Sequence, residues 1–170
     1  MKEYTAHSIY IAYPENWQLE ENETETINGS LMLSNENGAF WLLKKYPFGT
    51  NPDRIAEEAV EAMQTEYENV EVERFDKSLF GKSIIGFEMT FFYLDLMNLA
   101  TVLCFEQDGQ TWTVFWQTGN QLILHNDETV PVEQVLEAIT LSMLRGEPVE
   151  HKHCGQHCKC RTQHQNDAAY

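Results

Sequence analysis

Long apolar runs are missing from this sequence of 170 residues. No stretch approaches the roughly 20 consecutive apolar residues that a membrane-spanning helix needs, so we expect no membrane segment. Residues 1–7 also lack the apolar centre of a secretory signal. Unless a signal has been removed ahead of Met1, these two absences predict a cytoplasmic protein.

Basic residues are scarce, with 11 Lys and Arg against 27 Asp and Glu, a net charge of −16. The imbalance lies in residues 1–146, which hold 24 acidic and 8 basic residues, whereas residues 147–170 hold 3 of each. Such a body repels phosphate backbones and anionic lipid. We therefore predict no nucleic-acid partner and no membrane partner. A basic protein partner or a cationic ligand stays open, beside a plain role in solubility.

Catalytic sequence motifs are missing as well: there is no Gly-rich phosphate loop, no nucleophile elbow and no His-Glu-x-x-His. The body contains one cysteine, Cys104, which has no His or basic residue near it in the sequence. We predict that Cys104 is a small buried core residue rather than a nucleophile. The protein is expected to be non-enzymatic, although residues far apart in sequence can still form a site.

Apolar residues are plentiful, because hydrophobic residues make up 42% of the chain and aromatic residues 12%. This composition and length suffice for one globular core. Strand patterns occur at residues 8–13, 26–34, 39–46, 70–73, 83–97, 99–107, 111–118 and 122–125. The pairs Asn37-Gly38 and Asp108-Gly109 predict tight hairpin turns between strands.

Two amphipathic helices are predicted, one from Pro52 with Asn51 as its cap and one from near Pro131 to Gly146. The predicted core includes Val60, Met63, Phe87, Met89, Phe91, Val114, Leu136 and Ile139. Helices and strands of this kind bury their apolar faces against each other. Residues 1–146 are therefore predicted to form an α+β domain, a layered sandwich of two helices and a mostly antiparallel sheet of six to eight strands. Residues 147–170 are predicted to form a flexible Cys/His-rich tail.

In this order of elements the chain resembles the Mog1/PsbP-like fold family, including the bacterial DcrB-like domains. The points of similarity are the strand ending in Tyr13-Pro14-Glu15-Asn16-Trp17, the hairpin into Pro47, the helix from Pro52, the strand pair around Gly109-Gln110-Thr111-Trp112 and the closing helix. They span residues 4–145. Members of this group mostly bind other proteins, so the resemblance implies a partner-binding role and supplies no catalytic residues.

Several carboxylates of the body allow both a functional and a structural interpretation. Glu57, Glu58 and Glu61 fit a solvated helix face better than an acid–base pair. Glu88 and Asp95 interrupt an apolar strand pattern. Each of these two is either a buried functional carboxylate or a residue at a bend or a sheet edge.

Two further groups of residues resemble sites without the full pattern of one. His125 with Asp127 and Glu128 fits a polar loop before a helix better than a metal site, because one His without convergent ligands is not a site. Trp112 and Trp116 share one face of a strand. They either line a ligand pocket or fill the core.

The tail contains the strongest chemical pattern, with seven potential metal donors within the fourteen residues 151–164. Thiolate and imidazole are preferred by zinc, copper(I) and nickel, and we predict one such ion, zinc or copper(I) above all. The predicted ligands are Cys154, Cys158 and Cys160, with His151, His153 or His157 as further donors. A tail that binds metal only adventitiously is the open alternative, because composition alone indicates the metal.

Three functions stay open on these observations. The leading prediction is a non-catalytic protein-binding or chaperone-like module with an unidentified protein partner and a transition-metal-binding tail. The alternatives are a metal-handling protein whose tail is the functional part, and a small-molecule binder or unrecognised enzyme that uses the concave face of the sheet. An exposed apolar patch favours the first function, and a pocket lined by Trp112 and Trp116 favours the last.

Overall fold

The strands and helices are taken from a computed structural model that describes residues 1–22, 29–119 and 131–148. Five strands precede the first helix: β1 (Lys2–Ala6), β2 (Ile9–Tyr13), β3 (Gln18–Asn22), β4 (Ser30–Ser34) and β5 (Phe40–Lys45). Helix α1 (Pro52–Glu66) follows, and then β6 (Glu71–Leu79), β7 (Lys82–Tyr93), β8 (Leu96–Gln107) and β9 (Gln110–Gln117). Helix α2 (Val132–Arg145) is the last described element.

Seven of the strands form one sheet in the order β3-β4-β5-β9-β8-β7-β6, and β1 pairs with β2 in a separate two-stranded sheet. Every pairing is antiparallel. The α+β class, the antiparallel sheet of six to eight strands and the two packed helices are thereby confirmed. Within the described residues, no helix is long and apolar enough to cross a bilayer.

Helix α1 begins as its sequence predicts, because the side chain of Asn51 accepts a hydrogen bond of 2.9 Å from the backbone N–H of Asp53, with Pro52 in the first turn. The helix lies against β7, β8 and β9. Its stripe of Ala56, Val60 and Met63 is buried there. The sheet residues beneath this stripe are Met89, Phe91, Ala100, Val102 and Cys104.

Helix α2 and the β1–β2 hairpin cover the opposite face of the sheet, around the fully buried Trp41. The indole N–H of Trp41 donates a hydrogen bond of 3.0 Å to the hydroxyl of Thr140 on α2. The backbone N–H of Ala12 on β2 donates a hydrogen bond of 3.0 Å to the hydroxyl of Ser142. These bonds satisfy polar groups at the interface and join α2 to the sheet and to β2. The layers are therefore α1, then the large sheet, then α2 with β1 and β2.

The single strand predicted over residues 83–97 is wrong. The chain turns back at Leu94 and Asp95, which have φ of 50° and 61°, so that Tyr93 pairs with Leu96. Positive φ at both central residues is what a two-residue type I′ turn requires, and Asp tolerates this conformation better than most residues. The sequence pattern looked continuous because apolar residues run through the turn itself.

Other differences are smaller. Strands β1 and β3 are not among the predicted strands, and their residues are largely polar and exposed, which weakens any apolar periodicity. Phe87 is only partly buried, whereas the other predicted core residues are buried. The strand predicted at residues 122–125 lies outside the described residues.

Candidate functional site

The turn between β7 and β8 presents large apolar side chains to solvent. Leu94 is 74% exposed, Phe92 is 64% exposed and Met97 is 57% exposed. Phe92 and Met97 are directly opposite each other across the two strands, so their side chains lie on one face of the hairpin. We call residues 92–97 the β7–β8 tip. Contiguous exposed apolar side chains of this kind mark interaction surfaces on soluble proteins.

The tip is held firmly from below by aromatic packing. Phe91 is fully buried, and its ring centroid lies 4.2 Å from that of Tyr67, the residue that ends α1. Tyr93 meets Tyr67 edge to face at 5.9 Å between centroids. A hairpin fixed in this way needs little further ordering when it binds a partner.

Carboxylates border the tip. Glu73 on β6 lies directly opposite Glu88 on β7, and both side chains are exposed. Like charges directly opposite in a sheet are destabilising. Burial raises the pKa of Glu133 on α2, and the nearby charges of Glu137 and Glu88 raise it further. The carboxylates around Glu88 therefore repel one another.

None of the exposed carboxylates closest to the tip in sequence or strand pairing has an ion-pair partner in the described ranges. This set comprises Glu66, Glu68, Glu71, Glu73, Glu88 and Asp95. The combination of an apolar tip and an uncompensated acidic border is the clearest functional feature of the described chain. It suits a complementary surface that is apolar at its centre and basic at its rim.

A second feature is a groove of about 330 Å³ between α1 and the part of the sheet formed by β5 and β9. Its walls are mostly apolar, and they include Leu42, Ile55, Ala59, Met63 and Phe115. Its polar lining residues are Lys44, Tyr46, Glu58 and Thr113. The groove lies on the sheet face opposite the tryptophan-rich core.

The predicted metal ligands lie outside the described residues. These are Cys154, Cys158, Cys160, His151, His153 and His157, and the same holds for His125, Asp127 and Glu128. In the portions of the chain that the structure describes, no group of three or more His, Cys, Asp or Glu side chains is arranged to hold a metal ion. The metal site in the tail stays a prediction.

The structure places five acidic candidates of the body. Glu57, Glu58 and Glu61 lie on the exposed face of α1, and Glu58 pairs with Arg54 at 2.9 Å. Their interpretation as a solvated helix face is confirmed. Asp95 lies at a bend, as its structural interpretation requires.

Glu88 is exposed, although β7 is an inner strand of the sheet. The prediction that it lies at a bend or an edge is therefore wrong, and so is the alternative of a buried carboxylate. Its carboxylate lies opposite that of Glu73, and both belong to the acidic border of the tip.

Cys104 and the tryptophans belong to the core. Cys104 is fully buried, and burial raises the pKa of its thiol to about 12, so the nucleophilic thiolate is disfavoured. Trp112 and Trp116 are buried together with Trp41 on the α2 side of the sheet. The indole N–H of Trp112 has no acceptor among the described residues. Both tryptophans fill the core rather than line the groove.

The sequence did not point to the β7–β8 tip. Its apolar residues look like the continuation of a strand, and only the Leu94-Asp95 pair departs from a smooth pattern. Two signals were present nonetheless. Fifteen residues would make an unusually long strand, and Asp is among the residues that adopt positive φ in turns.

No protein-family model and no curated protein matches the sequence. Among solved structures, the chain is similar to LpqN of Mycobacterium tuberculosis, a protein involved in cell envelope biogenesis. That match has 12% identity and a TM-score of 0.47, and it covers 77% of this chain and 79% of LpqN. The chain is also similar to PA94 of Pseudomonas aeruginosa, a protein of unknown function, with 12% identity, a TM-score of 0.40 and coverage of 71% and 83%. Likeness at this identity concerns the fold alone, and it does not identify the Mog1/PsbP-like family.

Proposed function

We propose that this protein is a non-catalytic binding module that docks its β7–β8 tip into an apolar pocket on a partner protein. The observation that carries the proposal is the exposure of Phe92, Leu94 and Met97 on a hairpin anchored by Phe91 and Tyr67. A few anchor residues supply most of the binding energy at protein interfaces, and aromatic residues and Met are enriched in interface cores.

The partner surface should be basic around its apolar pocket. The body carries 24 acidic and 8 basic residues, and unpaired carboxylates border the tip. Long-range attraction then steers a basic partner towards the tip and repels acidic surfaces, nucleic acid and anionic lipid. A second copy of the same chain is disfavoured by the same charge.

Affinity capture from cell extract with quantitative mass spectrometry tests this function. We expect the natural protein to enrich a partner with a basic surface, and the double variant Phe92→Ser/Met97→Ser to lose at least about tenfold of that enrichment. The matched control is Phe48→Ser, because Phe48 is 72% exposed and lies far from the tip in sequence. Enrichment should also fall as salt rises, since the steering is electrostatic.

Three outcomes would contradict the proposal. The double variant and Phe48→Ser could both capture as the natural protein does. Light scattering could show a dimer of the natural protein that the double variant abolishes, in which case a second copy occupies the tip. Binding to vesicles through Phe92 would assign the tip to a membrane.

The tail adds a metal-binding function to this proposal. Seven donors within fourteen residues support one zinc or copper(I) ion held by Cys154, Cys158 and Cys160. Titration with each metal under reducing conditions should show binding that weakens as pH falls, because each ligand must be deprotonated to coordinate. A variant with these three cysteines changed to Ser should bind at least about tenfold more weakly. Equal affinity in both proteins would make the tail an adventitious binder.

Two wider expectations belong to the same proposal. Membership of the Mog1/PsbP-like family is supported by the order of elements and by the motifs around Trp17 and Gly109. A cytoplasmic location is supported by Cys104, which is the one cysteine of residues 1–146 and is free, so that no disulfide staples the body. If deletion of the tail abolished partner capture while the tip variants captured normally, the tail would be the functional part. The alternative of a metal-handling protein would then replace that of the binding module.

A further inference from the structure

The groove beside α1 exists because the helix is narrower than the sheet. Helix α1 lies against β7, β8 and β9, whereas the same face of β5 continues beyond it. Phe40 and Phe115 stack across β5 and β9 with ring centroids 5.8 Å apart, and both remain partly accessible. Leu42 lies between Phe40 and Lys44 on the same face of β5, and it is also only partly buried. The sheet therefore offers an apolar floor that the described chain leaves partly open.

Three polar residues lie at one end of this floor. Lys44 lies directly opposite Thr113 in the β5–β9 pairing, and Tyr46 follows two residues after Lys44, so it belongs to the same face. The Lys44 ammonium and the Tyr46 and Thr113 hydroxyls make no side-chain hydrogen bond or ion pair to any described residue. Elsewhere in the body, Lys82 donates to the carbonyl of Leu144 at 2.8 Å. One ammonium and two hydroxyls form a donor set suited to a carboxylate.

The charge in the groove favours an anion in spite of the acidic protein. Glu58 lines the groove, but its carboxylate pairs with the guanidinium of Arg54 at 2.9 Å. Lys45 points to the other face, where its ammonium lies 5.4 Å from the ring centroid of Trp112. Lys44 is therefore the unpaired cation among the described residues that line the groove.

From these observations we infer that the groove binds a small amphipathic carboxylate. The acid group contacts Lys44, Thr113 and Tyr46, and the apolar body lies on Leu42 and Phe115 against the side of α1. A volume of about 330 Å³ is at the small end of the usual range for ligand pockets. This site is independent of the β7–β8 tip, so either can fail without the other.

Calorimetric titration of the full chain with three ten-carbon probes, each below its micellar concentration, tests the inference. The probes are decanoate, decanol and decyltrimethylammonium. Decanoate should bind at least about tenfold more tightly than decyltrimethylammonium, because a charge-assisted hydrogen bond outweighs the repulsion by a distant net charge. Tighter binding of the cation, or no binding of decanoate, would overturn the site.

Variants locate the binding. Lys44→Gln should weaken decanoate binding about tenfold and leave decanol unchanged, whereas Lys2→Gln, a change at an exposed lysine on β1, should leave both unchanged. Ala59→Phe should block the groove, and the tip variant Phe92→Ser/Met97→Ser should bind decanoate normally. Normal binding by Lys44→Gln, or lost binding by the tip variant, would contradict the assignment. Circular dichroism of each variant verifies its folding.

Discussion

Two hairpins at opposite ends of β8 share one turn geometry and differ in almost everything else. In the β8–β9 turn, Asp108 and Gly109 have φ of 54° and 76°, and in the β7–β8 turn, Leu94 and Asp95 have φ of 50° and 61°. Asp-Gly is among the pairs that this turn favours, whereas positive φ is sterically unfavourable for leucine. The residues of the β8–β9 turn therefore favour the conformation that they adopt, whereas Leu94 in the β7–β8 turn does not.

The surroundings of the two turns differ in the same way. Phe48 lies over the β8–β9 turn, so that a Cβ atom added at Gly109 would come within 2.8 Å of its ring. The β7–β8 turn instead exposes Leu94, with Phe92 and Met97 beside it. Departures from local preference without a structural gain concentrate at functional sites. This contrast supports the docking role that the exposure of the β7–β8 tip already indicates.

We expect the largest effect on stability from a comparison of two adjacent residues of β7, Phe91 and Phe92. Phe91→Ala should lower the free energy of unfolding by about 3–5 kcal/mol, because Phe91 is fully buried beneath α1. Phe92→Ala should change it by less than about 0.5 kcal/mol, because its ring faces solvent. Urea denaturation measures both. Equal losses would show that the tip is part of the core.

A substitution at the other turn should cost less. Gly109→Leu places a branched side chain at positive φ and should destabilise the protein by about 1–2 kcal/mol. Gln110→Leu, one residue further on at the start of β9, is the control and should stay within about 0.5 kcal/mol. If Gly109→Leu were neutral, positive φ would impose no cost at either turn, and the contrast between them would disappear.

Replacing the β7–β8 turn residues with a pair that favours this turn should make the β7–β8 hairpin resemble the β8–β9 hairpin in stability. The double variant Leu94→Asn/Asp95→Gly should gain about 1 kcal/mol of stability, because Asn-Gly adopts the turn without strain. It should also capture less partner, since Leu94 is lost. Leu94→Ala should show the same loss of capture with no gain in stability. A variant with Asn-Gly that is more stable and binds normally would limit the docking role to Phe92 and Met97.

These two turns also show which parts of the structure can be predicted from the sequence and which cannot. The Asp108-Gly109 hairpin, both helices and most core residues follow from periodicity and turn chemistry, because local preference and tertiary structure agree there. The Leu94-Asp95 turn and the groove around Lys44 could not be predicted. In the first, local preference is violated; in the second, the site depends on which strands become neighbours across β5 and β9.

The smallest effect concerns the acidic border. Glu88→Gln should raise the free energy of unfolding by about 0.2–0.5 kcal/mol at neutral pH and low salt, because Glu73 lies directly opposite. The gain should disappear at high salt, where exposed charges are screened. Glu57→Gln, an exposed change on α1 away from this pair, should show no such salt-dependent gain. A loss of stability in Glu88→Gln would mean that the carboxylate has a favourable partner.

Site-specific photo-crosslinking tests the docking surface most directly. A benzophenone side chain placed at position 92 reports on the β7–β8 tip, and one placed at position 48 reports on a somewhat more exposed aromatic position at the β8–β9 turn. Irradiation in cells should join the probe at Phe92 to one discrete partner with a basic surface, and the probe at Phe48 to none in particular. The same partner at both positions, or no discrete partner at Phe92, would contradict the assignment of docking to the β7–β8 tip.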